Sequence, residues 1–402
     1  MVQSTFQTFE DFVAEGGDDT ESSRVFVNRP RTAGPQGVAG PAGVGGIIGS
    51  KNVLAYGALG NGLDNDTAAF QAAQTAAILS GNNSIYVPPG SYKIINFVMA
   101  PGIRVHGAGP LASTLLAGQS DSSILKYIAS ATVNGFFIDG LGFSANGYTG
   151  VTGINLDGTD SAKRLSIVHL SDLYFNCTTA LRLRYCANVW LDRLFANGCT
   201  TGFWLTAVAD AHLYGCQAQN GSSYGFLIEG VDGAYDEGVK LTSCTTNGQA
   251  YGISVIGADW GQMANCSFTT CSGGCITLSN CDNWRITTTD VASAEGAAGI
   301  VLDATCNNNM ISECFIALNT FGVSLLGTKN MVKGCNFEGN TNTDIYTAGS
   351  LSIISNNFCG SDVAFAIVEI APGDFNNIHD NIHKGAIATA GVASQIHHNL
   401  PY

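Results

Sequence analysis

Three successive stretches between residues 168 and 228 place aromatic and charged side chains at regular offsets. His169, Trp190 and His212 each stand directly before a leucine (Leu170, Leu191, Leu213). Tyr174 and Phe195 each follow a leucine, and Arg182 and Trp204 are centred in Leu-Arg-Leu and Phe-Trp-Leu. Strand alternation turns all of them to the same side as one another and away from the leucines. Aromatic faces stack on sugar rings, and a guanidinium forks onto carboxylates or hydroxyls. An exposed stripe of this kind equally suits contact between chains lying side by side. Both readings stay open.

Carboxylates would supply the rest of such chemistry. Glycosidic hydrolysis takes one acid for the leaving oxygen and a second carboxylate as nucleophile or base. The two stand about 5–5.5 Å apart in retaining enzymes and about 6.5–9.5 Å apart in inverting ones. Asp192 is two residues beyond Trp190 and points outward with it, while Glu229, Asp232, Asp236 and Glu237 crowd one acidic loop. The expected catalytic pair is Asp192 with Glu229 or Asp236. Trp190, Trp204, Arg182, Tyr174 and His212 are expected to hold a glycan. Asp157 and Asp160 lie in a second long interval, and a solvated acidic turn is the plain alternative for either loop. Asp172 and Arg193 share one repeat offset, which points to an ion pair. A calcium-dependent lyase would need clustered aspartates, and no shared offset gathers them. His379, His383, His397 and His398 crowd the end of the chain at spacings that match no standard metal site. No metal or cofactor is expected.

A repeat positions these residues. The template apolar-x-x-small-x-apolar starts at Ile138, Leu170, Leu191, Leu213, Leu241, Met263, Ile286, Ile311, Val332, Ile353 and Ile378. Its fourth position includes Cys216, Cys244, Cys266, Cys314 and Cys335, then Asn356 and Asn381. Each unit adds a run Gly-apolar-x-apolar, as at Gly153, Gly202, Gly252, Gly299 and Gly322. Asn or Asp precedes the template at Asn188, Asp210, Asn283, Asn330 and Asn377, where a tight corner would need left-handed backbone. A period near 22 residues with short strands and no leucine–asparagine signature describes a single-stranded parallel β-helix of about 11–13 coils. Coils step by about 4.8 Å, so one step suits a retaining pair and two steps approach an inverting one. The stacked cysteines read as a packing ladder of reduced thiols, in keeping with a chain that folds in a cytoplasm.

Composition narrows the field. The 402 residues carry 45 % hydrophobic and only 12 % charged side chains, with 50 glycines and a net charge of −14. Such a chain has a large core and many turns, and it repels phosphate backbones and anionic membranes. Nucleic acid is excluded as a partner, and no run is long enough to insert in a membrane. The first residues show no secretory signal.

Ahead of the repeat the chain changes character three times. Residues 1–33 are polar and acidic with sparse aromatics and read as an extended arm that orders on a partner, or as a plain tail. Within 34–50, Gly34, Gly37, Gly40, Gly43, Gly46 and Gly49 recur at every third position, which suits a collagen-like trimer or a flexible linker. Residues 51–110 hold an alanine-rich helix, capped by Asn65 or Asp66 with Phe70, Ala73 and Ala77 on one stripe, and the first coils. Residues 111–402 form the shaft.

The run Val53–Gln71, followed by Pro88-Pro89-Gly90-Ser91-Tyr92, closely resembles the opening of the pectate-lyase-like β-helix superfamily. That opening is shared by bacteriophage tailspikes and polysaccharide-degrading enzymes. With the order arm, linker, cap and shaft, the resemblance implies a right-handed helix and a homotrimer. It further implies docking to a phage tail or portal adaptor through residues 1–50, and recognition, often cleavage, of a bacterial surface polysaccharide. The expected place is the virion tail, after assembly in the host cytoplasm. The expected chemistry is depolymerisation, hydrolase before lyase. The alternative is a non-enzymatic receptor-binding or structural fibre, favoured by the chain stopping at Tyr402 soon after the last coil.

Overall fold

The computed structural model describes residues 49–231, 237–391 and 393–402. The arm 1–33, nearly all of the linker 34–50, and Asp232 and Asp236 therefore lie outside the described residues. The described residues from Gly49 onward form one unit, a right-handed parallel β-solenoid of about 13 turns.

One coil shows how the sequence builds all of them. Cys186–Asn197 runs as a strand that turns sharply at Arg193, whose φ is 53°, and Thr201–Thr206 follows as a separate strand. The segment before the bend joins a first sheet, the segment after it a second, and Thr201–Thr206 a third. Along the first sheet the template positions stack in register, with Ile138, Leu170, Leu191 and Leu213 directly over one another. The third sheet stacks Ile154, Leu181, Phe203, Phe226 and Ile253 in the same way. These columns are fully buried and form one continuous core. The glycines of the third sheet are there for space. A Cβ on Gly202 would lie 2.5 Å from the carbonyl oxygen of Gly225, one coil on, and a Cβ on Gly252 would lie 2.5 Å from that of Cys275.

The bend after the first sheet is left-handed at Gly140, Asp172, Arg193, Gly215, Ser243 and Asn265, and stays so to the end of the shaft. A residue beyond it, the fourth template position is buried from Leu141 through to Asn381. Here the cysteines give their S–H groups to the carbonyls of the coil before: Cys216 to Leu191, Cys244 to Leu213, Cys266 to Leu241. All thirteen cysteines are buried and free. Further along, asparagines take over the column. Asn357 accepts from the Cys335 N–H at 2.9 Å and donates to Asn381 at 2.9 Å, and Asn381 donates to Asn399 at 2.9 Å.

Two local expectations shift, and a third is settled between its two alternatives. Ile354, not Ile353, pairs with Val332 and Ile378, so Asn357 rather than Asn356 is the ladder residue. Either of two adjacent isoleucines satisfies the template, and burial selects Ile354, which is fully enclosed. Asn330 and Asn377 are not left-handed; Lys329 and Phe375 are, and Asn330 turns inward to accept from the Asn309 N–H. The helix, Thr67–Leu79, is capped through Asn65, whose side-chain oxygen accepts from the Thr67 N–H, while Asp66 binds the N–H groups of Leu59 and Gly60 instead. Phe70 meets Tyr92 and Phe97 edge-on and closes the first coil. No helix of the described residues is long and apolar enough to cross a membrane.

Candidate functional site

The predicted residues divide between two faces. On the third sheet Asn155, Arg182, Trp204 and Leu227 are consecutive rungs of one column, and Asp157, Arg184, Thr206 and Glu229 form the column at the strand ends. Two-residue alternation points both columns outward. The Arg182 guanidinium carbon lies 4.6 Å above the Trp204 ring, and the Trp204 indole N–H donates to Glu229 at 2.5 Å. The Thr206 hydroxyl gives Glu229 a second bond at 3.1 Å, and Arg184 holds Asp157 at 2.8 Å. The result is an aromatic platform with a cation over its face and an oriented carboxylate at its edge. Glu229 was expected in a loop; it ends the strand Tyr224–Glu229, and its register with Thr206 holds it there.

The first two sheets carry the other face. His169, Trp190 and His212 are successive rungs, with ring centroids 6.5 Å apart in each step and the Trp190 and His212 planes within 9°. Around the bend, Tyr174 and Phe195 meet edge to face at 5.5 Å. Arg193 grips Asp172 through two bonds of 2.7 and 2.9 Å and reaches Asp192 at 2.5 Å. That guanidinium, donating to Asp172, holds its carboxyl below the usual carboxylate range. The other oxygen of Asp192 is buried without a partner.

Asp192 and Glu229 are thus not brought together. They belong to different sheets and share no described contact: Asp192 stacks between Ser171 and Tyr214, and Glu229 between Thr206 and Ile256. A common period says that two residues lie on the same solenoid, but placing them on the same sheet needs the bends counted. Two residues of the second face were missed, Arg104 and Asp139, which pair through contacts of 2.8–3.2 Å. Asp139 has the offset of Asp192, one place after the template start, and that was the available signal. The C-terminal histidines stack, His379 on His397 at 5.1 Å, and Asp380 accepts from His379 at 2.7 Å. No group of three metal-binding side chains occurs among the described residues.

Comparison with known proteins agrees with this architecture. The family described as rhamnogalacturonase A/epimerase, pectate lyase-like, matches residues 50–301, and a right-handed beta helix region matches 251–400. Among curated proteins, mannuronan C5-epimerase AlgE5 of Azotobacter vinelandii is 49 % identical over 43 residues, 11 % of this chain and 4 % of that protein. AlgE4 of the same organism is 33 % identical over 89 residues, 20 % of this chain and 16 % of its own. The chain therefore spans only a small part of the curated relatives it matches.

Solved structures are alike in fold over most of the chain. The A-module of Azotobacter vinelandii mannuronan C-5 epimerase AlgE6 superposes with a TM-score of 0.64 at 17 % identity, covering 88 % of this chain and 99 % of that one. The catalytic unit of a Streptomyces thermodiastaticus GH87 α-1,3-glucanase gives 0.56 at 13 % identity, covering 90 % and 67 %. The N-terminal fragment of bacteriophage Phi29 gene product 12 gives 0.56 at 14 % identity, covering 87 % and 70 %. With the cap, the register and a family match over more than half of its length, the chain belongs to the pectate-lyase-like rhamnogalacturonase A/epimerase family of right-handed β-helix proteins.

Proposed function

We propose that the protein is a phage tailspike that binds a bacterial surface polysaccharide and cleaves it on the third sheet. The observation that carries this reading is the Arg182–Trp204–Glu229 cluster, a stacking platform with a charged donor above it and a carboxylate at its rim. Trp204 and Arg182 hold the sugar, and Glu229 acts as one of the two carboxylates. Asp236, seven residues further along the chain, is assigned as the other. The fold it shares with a glucanase, an epimerase module and a bacteriophage protein supports a polysaccharide as substrate and a phage as its setting. Residues 1–33 serve as the docking arm and 34–50 as the trimerising linker of a homotrimer.

One observation favours binding without catalysis. The nearest described carboxylates of the Glu229 column, Asp157 on one side and Asp303 on the other, are each three rungs away, about 14 Å at 4.8 Å per rung, beyond the range of either hydrolytic geometry.

The deciding experiment incubates the full chain with purified surface polysaccharides of candidate hosts, with mannuronan and with α-1,3-glucan. Reducing ends report hydrolysis, unsaturated uronate reports elimination, and a changed sugar composition by NMR reports epimerisation. Binding without any product favours the non-enzymatic reading. Absence of both binding and product from every glycan overturns the proposal.

A further inference from the structure

A groove of about 760 Å³ runs along the second face, away from the Arg182–Trp204–Glu229 cluster. Its length is framed by two arginine–aspartate pairs, Arg104 with Asp139 and Arg193 with Asp172. Tyr174 and Phe195 form one wall, and Leu111, 83 % exposed, stands on the rim. Gly107, Gly109 and Gly140 also line it. A Cβ on Gly107 would lie 2.2 Å from the carbonyl oxygen of Gly140, so no larger side chain fits there. A smaller cavity of about 220 Å³ shares Arg104, Asp139 and Ser171 with the groove and extends it to His169, at the start of the His169–Trp190–His212 column.

We propose that this groove is a second carbohydrate site, one that holds a stretch of neutral glycan without cutting it. Three features select that ligand. The volume falls within the roughly 300–1,000 Å³ of sites that enclose small molecules, and the continuation toward His169 makes it elongated, as a chain requires. Among the lining side chains two guanidinium groups stand against two carboxylates, and Arg193 is held by Asp192 as well. A uronate would find each arginine already engaged, and a cation would find each aspartate engaged. Sugar hydroxyls can still use the free lone pairs and N–H groups of both pairs, while C–H faces lie on Tyr174 and Phe195. Asp172 is kept ionised by Arg193 and so accepts hydrogen bonds but cannot serve as a general acid. The site adds grip along the polymer to whatever happens at Glu229. It rests on the reading that the protein handles polysaccharide, but not on any catalysis.

The test measures binding of neutral hexasaccharides (cellohexaose, maltohexaose, laminarihexaose) and acidic ones (hexamannuronate, hexagalacturonate) to the full chain by calorimetry. At least one neutral hexamer should bind. Tyr174→Ala and Ala108→Trp, the first removing the wall and the second filling the groove, should each weaken it at least tenfold, and Phe375→Ser, exposed near the far end of the shaft, should leave it within twofold. Unchanged melting temperatures establish that the variants fold, and Leu111→Asp on the exposed rim gives a further variant that leaves the core untouched. The proposal is overturned if no neutral hexamer binds at millimolar concentration, if the acidic hexamers bind more tightly, or if the groove variants bind like the parent. It is also overturned if Leu111→Asp breaks an oligomer apart, since the groove would then belong to a second copy of the chain. Loss of binding with Trp204→Ala alone would leave the Glu229 face standing and remove the second site.

Discussion

The indole N–H of Trp204 donates to Glu229 one rung further along the third sheet, at 2.5 Å. Both residues sit at fixed registers of a parallel ladder, so neither can drift from the other without breaking sheet pairing. Hydrogen bonds to a charged acceptor are worth about 1.5–3 kcal/mol, more than neutral ones. The bond fixes the ring plane and the carboxylate together. A sugar reaching the free edge of Trp204 would therefore meet Glu229 and the Arg182 guanidinium at set distances.

The first prediction separates platform from carboxylate. Glu229→Gln should reduce turnover of the cognate glycan by at least ~100-fold, the scale of losing an acid–base group, with binding changed little. Trp204→Phe keeps a ring but removes the donor, and it should weaken binding about tenfold. Equal turnover by Glu229→Gln and parent would remove Glu229 from any mechanism.

How much of this was legible depended on what the period encodes. Burial alternates every second residue and repeats in each coil, so the core columns, the cysteine ladder and the Asp172–Arg193 pair followed from counting. Closeness across sheets did not. Asp192 and Glu229 look adjacent on a ladder of offsets, but a left-handed bend at Arg193 and the turn before Thr201 put them on different sheets. Arg104 was hidden for a different reason: it lies ahead of the counted repeat, and its partner Asp139 is 35 residues away. The Ile353–Ile354 ambiguity shows the same limit, since composition alone cannot choose between two adjacent isoleucines.

The second prediction weighs the two kinds of ladder. The Asn357 side chain accepts from Cys335 and donates to Val332 and Asn381, all in the core. Asn357→Ala strands those groups, and unfolding in denaturant should show a loss of about 2–4 kcal/mol. Cys314→Ala, two rungs back in the same column, removes one sulfur and should lose only about 1–2 kcal/mol. A larger loss for the cysteine would show that the thiols do more than fill space.

Thiol accessibility gives a third. All thirteen cysteines are buried, and burial pushes the Cys199 thiol up to about 11 and that of Cys177 higher still. A buried thiol of raised pKa forms little thiolate, and Cys271, Cys281 and Cys335, lowered by the S–H of a neighbouring cysteine, are kept from reagent by burial itself. Native protein should release almost no chromophore from a disulfide reagent over minutes, and thirteen equivalents in concentrated guanidinium. Several fast-reacting thiols in the native state would contradict the packing.

Assembly supplies a fourth. The glycine triplets of 34–50 suit three chains held side by side. Light scattering at micromolar concentration should report about three times 41.8 kDa. A monodisperse monomer would remove the homotrimer and weaken the tailspike reading.

The last prediction is a pair of opposite pH dependences. Asp344 is fully enclosed, with its carboxylate taking bonds from Asn340 at 2.8 Å and from Ser361. Burial raises its pKa despite those bonds. The folded state therefore holds the Asp344 proton more tightly than the unfolded chain does, whose aspartates titrate near 3.9. Stability from this residue is greatest below that value and is lost as pH rises through the higher folded pKa. Asp172 is the reverse case, lowered by its bond to Arg193, and contributes stability above the unfolded value that is lost on acidification. Asp344→Asn should thus improve relative to the parent between pH 3.5 and pH 7, because the variant escapes the cost of a buried charge. Asp172→Asn should lose ground over the same span, by a smaller amount because that pair is half exposed to solvent. Urea midpoints of the three proteins across this range supply the test. Parallel curves for Asp344→Asn and parent would show that the buried carboxyl does not titrate differently in the two states.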